Sequence, residues 1–368
     1  MRKIGLIVNP IAGMGGSVGL KGTDGEMVER ARELGADPVT PGRTATFLEA
    51  AQRHEPRTWV VAAGQMGEDY IKGRGYDYHA IGETGATTTA EDTRRLARQL
   101  LKEGVSLLVF VGGDGTARDI YDAVGTEVPA VGVPAGVKVY SSAFALSPRA
   151  AAEVVRVFDK GTDLTEAEVL DIDEAAFRED RLDARHYGYL LVPNVQTGLQ
   201  PGKAGSPNTP DTADNKREIA ASFLEQLDAD ILYLLGPGTT IAAIAEAAGE
   251  SKTLLGVDAL KAGVIIGRDL NEQQILRLLE GYSQCKIVVT PLGGNGFIFG
   301  RGNKPFTPAV LRKVGAEHIV VVATEHKARE VGVLRIDTGD AEVDRMLSGY
   351  IEVMMGHDFA RLMKVLAV

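Results

Sequence analysis

The sequence predicts an α/β protein: a doubly wound parallel sheet in the N-terminal part, a second α/β or α+β domain, and a cleft between the two. Three observations predict this. Short apolar runs alternate with helical periodicity, a pattern that sets helices on both faces of a mostly parallel sheet. Glycines, 44 among 368 residues, gather where the apolar runs end. The chain is also longer than a single core usually serves. The boundary is expected near Pro148. Residues 1–148 would form the first domain, and 149–368 the second.

The elements follow in order. "KIGLIV" (Lys3–Val8), "TWVVAA" (Thr58–Ala63), "YHAIG" (Tyr78–Gly82), "SLLVFV" (Ser106–Val111) and "VPAVGVP" (Val128–Pro134) read as buried parallel strands. Helices are expected near Glu26–Leu34, Thr46–Arg53 and Thr89–Lys102. The last has threonines for its N-cap, acids in its first turn and Gly104 at its end. After Pro148 come a helix ("AAAEVVRVFDKG"), two extended segments ("LTEAEVLDID", "RHYGYLLVPNV") and a polar-rich helix over Asp211–Leu227. Gln196–Asp214, rich in Gly, Pro, Ser and Thr, reads as a mobile loop. Strand–helix alternation then returns through "DILYLLGPGTT", "TLLGVDAL", "KIVVTPLGGNGF" and "HIVVVAT".

Composition removes several classes of function. A formal net charge of −10 leaves no basic excess for nucleic acid, although nucleotides need only local loops. No segment approaches the roughly 20 apolar residues of a membrane span. "MRKIGLIVNP" breaks at Asn9–Pro10 and reads as a first strand, not a leader. The single cysteine, Cys285, opens an apolar run and reads as inert and packed, consistent with a reducing cytoplasm. There is no HExxH, CxxC or GxxxxGK[ST], so zinc sites and the P-loop route to ATP are set aside.

The glycine loops carry the chemistry. In "VFVGGDGTARDIYDAVG" a strand meets Gly112, Gly113, Asp114, Gly115 and Thr116 before a helix begins. The glycines let the backbone turn and present N–H groups, Thr116 is placed to cap the helix, and the helix N-terminus favours anions. Asp114 repels phosphate directly, but it suits a Mg²⁺ that bridges phosphates or the proton of an attacking hydroxyl. "VNPIAGMGG" after the first strand adds Asn9, Gly13 and Gly15 as a second phosphate loop. "GVPAGVKVYSSAFALSP" adds Gly136, Lys138 and Ser141, with Lys138 either facing phosphate or solvated at a helix start. In the second half, Gly236, Gly238 and Thr239 of "GPGTT" offer another anion site. Arg301 of "GGNGFIFGRGN" is either a phosphate clamp or a surface arginine. Asp258 is either a ribose contact or a turn aspartate.

These motifs carry a resemblance. "GGDGT" behind a glycine loop on the first strand resembles the superfamily of NAD kinases, diacylglycerol and sphingosine kinases and 6-phosphofructokinases. With "TTAEDT" (Thr88–Thr93), "GVPAGVKVYSSAFA", "GPGTT" and "TPLGGNGFIFGRGN", the chain is similar to the ATP-NAD kinase-like branch, including its acetoin-catabolism-associated members. The resemblance implies a cytoplasmic, homo-oligomeric kinase with ATP as donor, NAD as acceptor and Mg²⁺. It gives Asp114 the task of activating the 2′-hydroxyl of NAD, and Gly112, Gly113, Gly115 and Thr116 that of contacting phosphates. Lipid kinases carry Asn-Glu two residues after GGDGT. Arg118 and Asp119 stand there in this chain, making Asp119 either a second metal carboxylate or an acid favoured by the helix dipole. The second half reads as α/β, where NAD kinases have a β-rich C-terminal domain. Kinases of a small polyol, sugar or lipid, and a nucleotide-binding regulator, are the alternatives.

Overall fold

The computed structural model describes residues 2–16, 18, 27–52, 57–135, 139–172, 184–195, 199, 210–357 and 359–368. The chain divides into two compact units, Met1–Met14 with Gly22–Lys203 and Gly15–Lys21 with Ala204–Val368.

The first unit is built on a five-stranded sheet. Its strands are β1 (Lys3–Val8), β2 (Thr58–Ala62), β3 (Asp77–Ile81), β4 (Leu107–Gly112) and β5 (Ala130–Pro134), all parallel, in the order β3-β2-β1-β4-β5. The runs of β1, β2, β4 and β5 are largely apolar and buried because both sheet faces are covered. On one face lie α2 (Thr40–Ala51), through Phe47 and Leu48, and α6 (Pro148–Asp159), through Ala151, Val154 and Val155. On the other lie α4 (Ala90–Lys102), through Leu96 and Leu100, and α5 (Asp114–Val124), through Ala117 and Ile120. Helices α1 (Met27–Glu33) and α3 (Glu68–Ile71) are short.

Two expectations change here. The run Tyr78–Gly82 is not a buried strand: β3 is the sheet edge and much of it is exposed, because a short apolar run does not reveal its neighbours. Helix α2 starts at Thr40, six residues before the expected start, since Pro41 occupies its first turn, where a missing N–H costs nothing. Helix α4 starts as expected: Thr89 and Asp92 form a reciprocal capping box.

Strands β6 (Leu164–Ile172) and β7 (Ala184–Pro193) form an antiparallel hairpin within this unit. It buries Ala167, Val169, Leu190 and Val192 in the core beneath α5. Its register slips between Val169 and Leu170, and Tyr187 is the extra residue on β7.

The second unit has a nine-stranded mixed sheet, in the order β10-β9-β8-β11-β13-β15-β16-β14-β12. The strands are β8 (Leu232–Leu235), β9 (Asp258–Lys261), β10 (Val264–Gly267), β11 (Cys285–Val289), β12 (Phe297–Phe299), β13 (Ile319–Val322), β14 (Leu334–Ile336), β15 (Gly349–Gly356) and β16 (Phe359–Ala367). A parallel centre, β8-β11-β13-β15, is flanked by antiparallel pairs β8/β9 and β15/β16. Of the expected loop Gln196–Asp214, residues 196–198 and 200–209 lie outside the described residues, and a helix already runs from Pro210 to Glu225. Among the described residues, no helix is long and apolar enough to cross a membrane.

Candidate active site

In the first unit the chain proceeds from β1 to β2 and β3 on one side, then returns to β4 and β5 on the other. The direction reverses between β1 and β4, and ligands of open α/β sheets bind at such a point, beyond the carboxyl ends of the strands. Val8 pairs with Val111, so Asn9 and Gly112 reach the same edge.

Asn9 ties the two loops together. Its N–H donates to the Val111 carbonyl at 2.9 Å. Its Oδ1 accepts from the Ile11 N–H at 3.2 Å, closing the Asn-Pro turn. Its Nδ2 donates to Thr116 Oγ1 at 3.0 Å, across the reversal point. Thr116 is therefore not the cap that the sequence suggests. Helix α5 starts earlier, at Asp114, and the cap position falls to the extended Gly113, which has no side chain to offer. Thr116 sits buried in the first turn, with Gly112 packed against it. A Cβ on Gly112 would run into the Thr116 side chain.

Gly115 is different. It lies in the first turn of α5, it is exposed, and a Cβ there would meet no atom of the described residues within 4 Å. Glycine inside a helix costs about 1 kcal/mol relative to alanine, and no packing among the described residues requires it at this position.

Asp114 is buried, with 8% of its surface exposed. Its Oδ1 accepts from Ser141 Oγ at 2.6 Å, Ser141 N at 2.8 Å and Tyr140 N at 3.1 Å, and its Oδ2 accepts from Tyr140 N at 2.8 Å. The carboxylate thus fastens the start of α5 to the segment that follows β5. Burial, with Asp114 alongside, pushes the Tyr140 phenol well above its ordinary range. Ser141, read as part of the third glycine loop, is fully buried and donates a hydrogen bond to Asp114. Gly136 and Lys138 lie outside the described residues. Gly13 takes a left-handed φ of 77°, and Gly15 lies in a short 3-10 turn, Met14–Gly16.

Asp119 does not join Asp114. Five residues along a helix turn the side chain by about 140°, which aims Asp119 at α4. There it accepts from Arg94 Nη1 at 2.6 Å. Burial nevertheless raises its carboxyl to about 6, against the pull of Arg94 and Arg118. Asp119 is thus paired with Arg94 and is not brought together with Asp114. Among the described residues no group of three or more His, Cys, Asp or Glu side chains is placed to hold a metal ion. A nucleotide-borne Mg²⁺ asks for less, usually one or two carboxylates plus phosphates and water, and Asp114 is one carboxylate at this edge.

The second-unit residues have their own surroundings. Gly236 and Gly238 follow β8. Gly236 donates to Val288 O and Gly238 to Leu254 O, and exposed Thr239 begins the helix Thr239–Ala247. Arg301 is not a surface residue. It is buried over the Phe297 ring, 4.5 Å from its centroid, with Asp337 at 3.8 Å. Asp258 is fully buried and accepts from the N–H groups of Thr253 and Asp269, so it acts as a turn aspartate.

One loop escaped the sequence reading. "AAGQMGED" turns at the carboxyl end of β2, with Gly64 at a φ of 55° and no room for a Cβ on Gly67, which would lie 2.7 Å from Ala62 O. Two glycines after an apolar run were its signal.

Two family models match this chain: the ATP-NAD kinase N-terminal domain over residues 4–161, and the ATP-NAD kinase C-terminal domain over 217–365. The chain belongs to the ATP-NAD kinase family. No curated protein matches it. This ATP-NAD kinase family member is an ATP-dependent kinase, and the glycine–aspartate turn after β4 falls within the N-terminal match. The C-terminal match covers the nine-stranded sheet, whose helices had suggested an α/β pattern unlike that domain.

Proposed function

We propose that this kinase transfers the γ-phosphoryl group of ATP to the 2′-hydroxyl of NAD. The family supports the ATP-dependent kinase; NAD as acceptor and the roles of individual residues are our reading. Gly115 carries it. An exposed glycine in a helical turn, not required by the packing of the described residues, beside a buried carboxylate at the sheet's reversal point, leaves the backbone open to a ligand's phosphates. Gly113 adds a helix start without a capping side chain. Asn9 and Thr116 hold the two loops at fixed separation. Asp114 receives the proton of the attacking hydroxyl or holds the nucleotide's Mg²⁺. When bound, that ion neutralises phosphate charge. Phosphoryl transfer asks the protein mainly for position and electrostatics, so a loop-fastened carboxylate suits it. The single buried thiol of Cys285 favours a cytoplasmic setting.

ADP release with ATP and Mg²⁺, measured across NAD, a small polyol, a sugar and diacylglycerol, tests the reading. NADP formation is the expected product. Turnover of a polyol, sugar or lipid without NADP would reassign the acceptor, and nucleotide binding without ADP release would make the chain a regulator.

A further inference from the structure

We propose that Ser141 is a positioning residue that sets the Asp114 carboxylate from the β6 edge of the hairpin. The proposal rests on the reading of Asp114 as the reacting carboxylate.

The geometry is a relay of single protons. The Leu170 N–H donates to Ser141 Oγ at 3.0 Å, and Ser141 Oγ donates to Asp114 Oδ1 at 2.6 Å. A hydroxyl has one proton. Because Leu170 brings a donor, the Ser141 oxygen must accept there, and its own proton is left for Asp114. The rotor therefore has one direction, and each bond polarises the next. A donor–acceptor distance of 2.6 Å lies in the range of charge-assisted O–H···O⁻ bonds. Ser141 is fully buried, so water does not compete.

The hairpin supplies the fixed point. The next residue, Ser142, donates its N–H to Glu168 O at 2.9 Å. Glu168 and Leu170 are two apart on β6, so both bonds use its outer edge. The other strand grips α5 itself. The β7 bulge presents Tyr187, whose hydroxyl donates to Asp122 Oδ1 at 2.9 Å and whose ring meets Tyr121 edge-on at 5.7 Å. Gly188 lies so close beneath the Tyr121 ring that a side chain would collide with it. One hairpin thus holds both the helix that bears Asp114 and the segment that bonds its carboxylate.

The test compares wild type with S141A, S141T, D114N and D114N/S141A, using two readouts. The first is the pH titration of the Asp114 carboxyl carbon by NMR. S141A removes a donor to the charged form, so its midpoint should rise by about one unit; S141T, which keeps the hydroxyl, should restore it. The second is turnover with ATP and NAD. S141A should lower kcat about 10- to 100-fold while the KM for ATP stays within about twofold, and it should add nothing in the D114N background. An unchanged Asp114 midpoint in S141A overturns the proposal, as does a full additive loss in the double variant. If S141A does not fold, Ser141→Cys, close in size and a weaker donor, replaces it with the same expected directions. D114N at wild-type turnover would remove the catalytic reading of Asp114, whereas an impaired D114N with a normal S141A would remove only Ser141.

Discussion

At the scale of the residue, Gly115 separates folding from function. Its helical conformation suits any L-residue, and its Cβ position is open. Gly115→Ala should therefore fold at least as stably as wild type, gaining up to about 1 kcal/mol in helix propensity. The added methyl would stand where the backbone meets phosphate, so the KM for ATP or acceptor should rise about tenfold or more. Thermal unfolding with steady-state kinetics checks both halves, and unchanged kinetics would remove the first turn of α5 from the ligand site. Asp114→Asn keeps the size and loses the charge. A catalytic drop of roughly 10²–10⁴-fold in kcat is expected, and full activity would exclude the carboxylate from the chemistry. The sequence marks these two residues because glycine and aspartate between a strand and a helix are a local pattern. The bonds of Ser141 were not legible because its partners, Asp114 and Leu170, lie 27 and 29 residues away. No local pattern tells a serine facing a ribose from one facing a buried carboxylate.

At the scale of the element, helices α4 and α5 meet through the Arg94–Asp119 pair, and its titration has a definite sign. Burial raises the Asp119 carboxyl from 3.8 to about 6 in the folded chain. The folded state then holds this proton more tightly than the unfolded one, so its contribution falls as pH rises between those two values and is level above about 6. The stability of wild type relative to Asp119→Asn should thus be greatest near pH 4 and decline towards pH 6. Denaturant melts of both proteins at several pH values check this; a difference that grows with pH would show that Arg94 outweighs burial. Element by element, legibility followed packing. Strands β1, β2, β4 and β5 of the first sheet were readable because burial on both faces makes them largely apolar. The β3 edge and the start of α2 at Pro41 were not, since edge position and first-turn proline depend on neighbours rather than on pattern. The β15–β16 hairpin went unread because exposed Tyr350 and Leu362 blur its alternation of apolar and polar residues.

At the scale of the whole molecule, the chain carries one natural probe for each unit. Trp59, its only tryptophan, is fully buried in the first unit. It meets Phe47 edge-on at 6.0 Å and Tyr76 at 5.8 Å. Cys285, its only cysteine, starts β11 in the second unit, where burial raises its thiol to about 12. A thiol so raised has almost no thiolate near pH 8, and the thiolate is the form that reacts. Disulfide reagents should therefore leave the native protein unmodified and label it only on unfolding. Each buried apolar cluster stays within one unit: those around Trp59 and Phe110 in the first, those around Ile287 and Ile244 in the second. Removing a large core side chain costs its own cluster about 3–5 kcal/mol. Phe47→Ala should then move the urea midpoint read by Trp59 fluorescence well below that of wild type, while the midpoint for Cys285 labelling stays put. If both midpoints fall together, the two cores unfold as one cooperative body, and their separation in the contact pattern does not extend to their energetics.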